Sequence, residues 1–103
     1  MFIELKSPTK GNIFKVEPSQ IATHLRIQAN NYVSFFLVHD SLTSDLFLFE
    51  GGKLCNYLAT NQLCTLAISE KKEIGFLVRG SLKECLDFAN HLICEGEVCK
   101  ESP

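Results

Sequence analysis

Five cysteines (Cys55, Cys64, Cys85, Cys94, Cys99) and three histidines (His24, His39, His91) are the side chains here best able to ligate a metal or attack a substrate. Structural zinc asks for ligands paired close in sequence, typically C-x2–4-C or H-x3–5-H. There is no C-x-x-C, and the closest pair, Cys94 and Cys99, lies across a predicted helix end. The expectation is therefore no metal site. Nucleophilic catalysis needs a Cys or Ser held within reach of a base. No local signature joins a particular cysteine to a particular histidine. His39 and Asp40 are adjacent, but neighbours on a strand point to opposite faces. His91 falls on the solvent side of a predicted helix. No catalytic residue is assigned, and the enzyme question stays open, with a non-enzyme favoured.

Cofactor chemistry is equally thin. There is no G-x-G-x-x-G and no P-loop lysine motif, so Gly51-Gly52 reads as a turn. The eight Phe and two Tyr alternate at core spacing. Base-stacking platforms need basic residues among the rings, and only Arg26 is near. No cofactor is expected. The formal charge of −2 has the wrong sign for a general nucleic-acid binder, and the ten basic residues are scattered. The one adjacent pair, Lys71-Lys72, sits at a predicted turn. No stretch approaches the roughly 18 apolar residues of a membrane span. MFIELKSPTKGN has no apolar h-region, so no secretory signal is read there. An odd number of cysteines rules out a complete intramolecular disulfide set. Free thiols in a reducing, cytoplasmic setting are the expectation.

The composition, 46% hydrophobic and 21% charged over 103 residues, is that of one folded domain. Residues 1–96 are expected to form it, with 97–103 as a polar tail. Phe2 to Lys6 alternates like a short strand. Ser7 to Asn12 is turn-forming, and Ile13 to Glu17 could return as the second arm of a hairpin, ended by Pro18. Ser19 to Asn30 fits either a helical turn capped at Ser19 or a strand carrying Leu25, Ile27 and Ala29. Asn30-Asn31, tolerant of positive φ, favours a strand ending in a type I′ turn. In that register Leu25 faces Phe36, while the opposite face pairs Arg26 with Phe35 and His24 with Leu37.

Tyr32 to Val38 and Asp45 to Glu50 are apolar on both sides, as central strands are. Gly51-Gly52 reads as a hairpin turn. Lys53 to Thr60 follows as a strand, or as a helix pairing Leu54 with Leu58 and Cys55 with Ala59. Leu63 to Ser69 has Cys64, Leu66 and Ile68 on its buried face. The last strand buries Ile74, Phe76 and Val78. Ser81 and Glu84 form a capping box. It opens a helix to about Glu95 with an apolar stripe of Leu82, Cys85, Leu86, Ala89, Leu92 and Ile93, and Gly96 suits its C′ position.

The predicted class is α+β: an antiparallel meander of about five to seven strands against one C-terminal helix. That topology is similar to PH-like barrels, as a half-barrel at the level of connectivity alone. No residue motif carries the likeness: the helix lacks tryptophan, and there is no basic cluster of the phosphoinositide-reading kind.

One helix covers one sheet face, and the second face then needs a cover. Closure by residues 2–17, a homodimer, or a pocket for an apolar ligand would each supply it. Phe35 and Leu37, rimmed by His24, Arg26 and His39, have the make-up of a protein interface. The expectation is a small cytoplasmic interaction protein that binds a partner or itself through that face, without nucleic acid or membrane. The alternative is a ligand-binding domain or small enzyme with a pocket between sheet and helix.

Overall fold

The computed structural model describes residues 1–8, 13–68 and 74–101, with side chains described through Cys94. The predicted turn residues Thr9 to Asn12 and Lys71-Lys72, and the side chain of Cys99, lie outside the described residues.

The elements run β1 (Phe2–Lys6), β2 (Ile13–Lys15), α1 (Pro18–Ala29), β3 (Ser34–His39), β4 (Leu46–Glu50), α2 (Gly51–Thr60), β5 (Thr65–Ala67), β6 (Phe76–Gly80) and α3 (Leu82–Glu101). The class is α+β, as expected, but the sheet is mixed and three helices accompany it. Four strands lie in the order β1-β3-β4-β6, and β2 pairs with β5 as a separate ribbon. β1 runs parallel to β3, while β3–β4 and β4–β6 are antiparallel. Neither a continuous meander nor a closed barrel forms among the described residues.

The largest correction concerns Ser19 to Asn30. It is helical, and Pro18, expected to end a strand, is the first residue of α1. A fixed φ near −65° suits that position, where the missing N–H is not needed. Gln20 Oε1 accepts from the Glu17 N–H at 2.9 Å and closes the first turn. Asn31 does take positive φ, at 64°, but it follows a helix end rather than forming a hairpin.

The second correction is Gly51-Gly52. These residues open α2 directly from β4, and Lys53 to Thr60 is helical. A Cβ on Gly51 would overlap His24 Nδ1 and Ser34 Oγ, and one on Gly52 would meet the Gln28 side chain. The glycines are there because α2 starts hard against α1 and β3, not because a turn needs positive φ.

Both sheet faces are therefore covered from within the chain. Phe36, Val38, Phe47 and Phe49 pack against Leu54, Cys55 and Leu58 of α2, with Ile21 and Leu25 of α1 and Phe14 and Leu66 of the ribbon. Phe35, Leu37 and Leu48 pack beneath Cys85, Ala89, Phe88, Leu92 and Ile93 of α3. The expected two-sidedness of β3 and β4 is present. The cover that the strand reading of α1 and α2 lacks is the second layer those two helices form.

Smaller corrections follow. β2 pairs with β5, not with β1. The register slips between Leu48 and Phe49 where β6 pairs with β4. As a bulge does, this interrupts the alternation, so Phe76 joins one core while Leu77 and Val78 both join the other. Cys64, expected to be buried, is exposed. The capping box of α3 is present, with Glu84 N–H donating to Ser81 Oγ at 3.2 Å and Ser81 N–H to Glu84 Oε1 at 3.1 Å. The helix continues through Gly96 to Glu101, since glycine mid-helix costs only about 1 kcal/mol relative to alanine.

Candidate functional site

α1 carries Ile21, His24, Leu25 and Gln28 on its inner stripe, and His24 is the one ionisable side chain that this stripe buries completely. Its ring stacks on Phe36, with centroids 4.2 Å apart, and meets the Phe2 ring edge-on at 5.2 Å. Nδ1 lies 2.6 Å from Ser34 Oγ on β3. Nε2 lies 3.8 Å from Glu4 Oε1 on β1, and it is buried without a hydrogen-bond partner among the described residues. Burial, and then the nearby Lys6 ammonium, push the His24 pKa down to about 4. The ring is therefore neutral at pH 7, and its approach to Glu4 is not an ion pair. The tautomer that serves both neighbours accepts the Ser34 hydroxyl at Nδ1 and turns Nε2–H toward Glu4.

Serine, histidine and carboxylate are the parts of a nucleophilic triad. Their surroundings do not allow that use. Ser34 is 2% exposed and His24 is 0% exposed. Gly51 presses on both, so that even one added methyl group finds no room beside the hydroxyl. A substrate carbonyl could not reach it. The cluster instead ties four elements together: β1, α1, β3 and the start of α2. Gln20 extends it, accepting from Lys6 Nζ at 2.7 Å and donating to Glu4 Oε2 at 3.3 Å.

The thiols offer no alternative nucleophile in the core. Burial, with Glu4 adding to it, raises the Cys55 pKa to about 12. Burial also raises Cys85, whose Sγ lies 3.7 Å from the Leu46 carbonyl oxygen. Among the described residues, no group of three or more His, Cys, Asp or Glu could hold a metal, and no helix is long and apolar enough to cross a membrane.

The five residues expected to form an interface do not share a surface. His24, Phe35 and Leu37 are buried. Phe35, Leu37 and the half-buried His39 alternate onto the α3 side of β3, whereas His24 and the exposed Arg26 belong to the helix on the other side. The set depends on a hairpin register that does not exist.

The exposed apolar residues gather elsewhere, around β1. β1 is an edge strand with β3 as its one strand partner among the described residues. α3 lies mainly over β4 and β6. Leu5, on the α3 side of β1, is thus left 72% exposed. At the start of the same strand Met1, Phe2, Ile27, Tyr32, Val33 and Ile93 line an open apolar groove of about 490 Å³. The opposite edge, β6, is guarded differently. Arg79 there donates from Nε to Asp45 at 2.7 Å, and its guanidinium lies 5.4 Å from the centre of the Phe47 ring. A second depression of about 380 Å³ lies along α2 and is lined by Lys53, Asn56, Tyr57, Thr60, Asn61 and Gly75. Leu5 escapes sequence reasoning because alternation marks it as inward-facing, and only the placement of α3 leaves it uncovered among the described residues.

Compared with known proteins, the chain matches no family model, no curated protein and no solved structure.

Proposed function

We propose that this chain is a small protein-interaction module whose binding surface is the open edge and uncovered flank of β1, with the adjoining groove at Phe2 and Tyr32. One observation carries the proposal: Leu5, the fourth of five residues in an edge strand, stands 72% exposed. An edge strand offers backbone donors and acceptors in a row, which is the template for adding another strand. A leucine beside that row supplies apolar area worth about 1.5–3 kcal/mol on full burial. Glu4 and Lys6, the charges on the strand, point to its other side and are held by Gln20. The partner class is protein. A reducing cytoplasm suits the cysteines, of which Cys55, Cys64, Cys85 and Cys94 are free thiols.

A ligand or enzyme pocket between sheet and helix has less support. Both sheet–helix interfaces are filled by the two apolar clusters. The depressions at Phe2 and at Tyr57 open at the surface.

Affinity purification with the chain as bait tests the proposal, run on wild type, Leu5→Asp and Tyr57→Ser. Protein held by wild type should be lost with Leu5→Asp and retained with Tyr57→Ser, whose position lies on the distant α2 depression. Equal recovery with Leu5→Asp would overturn the proposal.

A further inference from the structure

We infer that the partner is a second copy of this chain, with the two β1 strands paired antiparallel about a two-fold axis at Leu5. This rests on the reading of β1 as an interaction edge and adds the identity of what it meets.

The argument is one of register. β3 takes up one side of β1 from Phe2 to Lys6, so alternate backbone groups of β1 face outward. Two copies related by a two-fold axis can pair only with one residue position opposite itself. Residues directly opposite share a face and interact, and like charges there repel. Centring on Glu4 sets two carboxylates against each other. Centring on Lys6 does the same with two ammonium groups. Centring on Ile3 sets Glu4 opposite Phe2 and brings no opposite charges together.

Centring on Leu5 alone sets opposite charges together, over the segment Glu4–Lys6, while Ile3 and Phe2 fall opposite positions beyond the strand end. Glu4 of each copy faces Lys6 of the other, twice over, and Leu5 faces Leu5. Gln20 already holds Glu4 and Lys6 on the α1 side. The leucine pair then fills the flank that α3, seated over β4 and β6, leaves open. The product is one continuous sheet across both copies, with the charged pairs on one side and the leucine pair on the other.

Sedimentation equilibrium of the purified chain gives the test. Wild type should sediment at twice 11.6 kDa. Glu4→Lys alone and Lys6→Glu alone should each sediment as single chains. Mixed one to one they should recover the two-chain species. Both positions are then basic on one chain and acidic on the other, so each charge meets its opposite across the axis. Since Glu4 also lies beside His24, a second set avoids the interior. Leu5→Asp and Leu5→Arg should each be single chains with unchanged circular dichroism, and should pair when mixed.

A wild-type chain that stays single at all concentrations overturns the inference. If Leu5→Asp still loses a captured protein, the interaction edge survives that result. A two-chain species indifferent to both variant sets also overturns the inference, and the edge reading then rests on the Leu5→Asp capture alone.

Discussion

Ser34 Oγ lies 2.6 Å from His24 Nδ1, inside a core where both residues are buried. That bond fixes α1 to β3 and holds a neutral imidazole between the rings of Phe2 and Phe36. Ser34→Ala leaves a buried nitrogen unsatisfied and should lower unfolding free energy by about 1–3 kcal/mol. Urea titration of wild type and variant measures this. A stability change within error would mean that the bond contributes nothing to the fold.

Gly51→Ala should be more damaging than Gly52→Ala. The added methyl at 51 collides with His24 and Ser34, both locked in the core, whereas at 52 it meets the long, flexible Gln28 side chain. Overpacking of the first kind costs about 1–3 kcal/mol. Thermal melts of the two variants side by side decide the order, and the reverse order would contradict the close approach of α2 to α1.

Acid should weaken the fold through His24. Its pKa falls from 6.5 to about 4 on folding, so the unfolded chain binds the proton more readily between those values. Stability is then fully present above pH 6.5 and is lost as pH falls toward 4. At about 1.4 kcal/mol per pH unit the loss is on the order of 3 kcal/mol. The cleanest window is pH about 6.5 to about 5, above the ordinary carboxylate range. Denaturant midpoints across that window should slope in wild type and flatten in His24→Phe. An equal slope in both would assign the effect to other groups.

Thiol labelling should divide the cysteines. Cys64 and Cys94 are exposed, and Cys55 and Cys85 are buried with raised pKa values. Brief iodoacetamide treatment followed by peptide mass spectrometry should find the first two modified and the second two modified only after unfolding. Labelling of Cys55 in the native chain would place α2 wrongly.

Local signals are legible in the sequence, and long-range ones are not. The Ser81–Glu84 capping box and the stripe from Cys85 to Ile93 lie within a few turns of one another, and α3 begins where they say. The two-sided strands β3 and β4 are readable because each carries its own pattern. Pro18, Asn31 and Gly51-Gly52 are each compatible with two local structures, and tertiary packing chooses the helical one. The parallel β1–β3 pair spans the whole of α1, and nothing in either strand announces it. His24 stands out in the sequence only for a strand face that does not form. Its real partners, Glu4 and Ser34, come together only once α1 is a helix. Nothing in the sequence marks Leu5 as exposed, because its exposure depends on where α3 lies.

The most direct test of self-pairing at β1 is a cross-link at its axis. Opposed residues in an antiparallel pair have Cβ atoms about 4.5–5.5 Å apart, close enough for a disulfide after small adjustment. In a background where Cys64, Cys94 and Cys99 are replaced by serine, Leu5→Cys should oxidise rapidly to a covalent two-chain species. Leu82→Cys, at a half-exposed leucine on α3, should not. Equal, slow cross-linking at both positions would contradict pairing of two chains through Leu5.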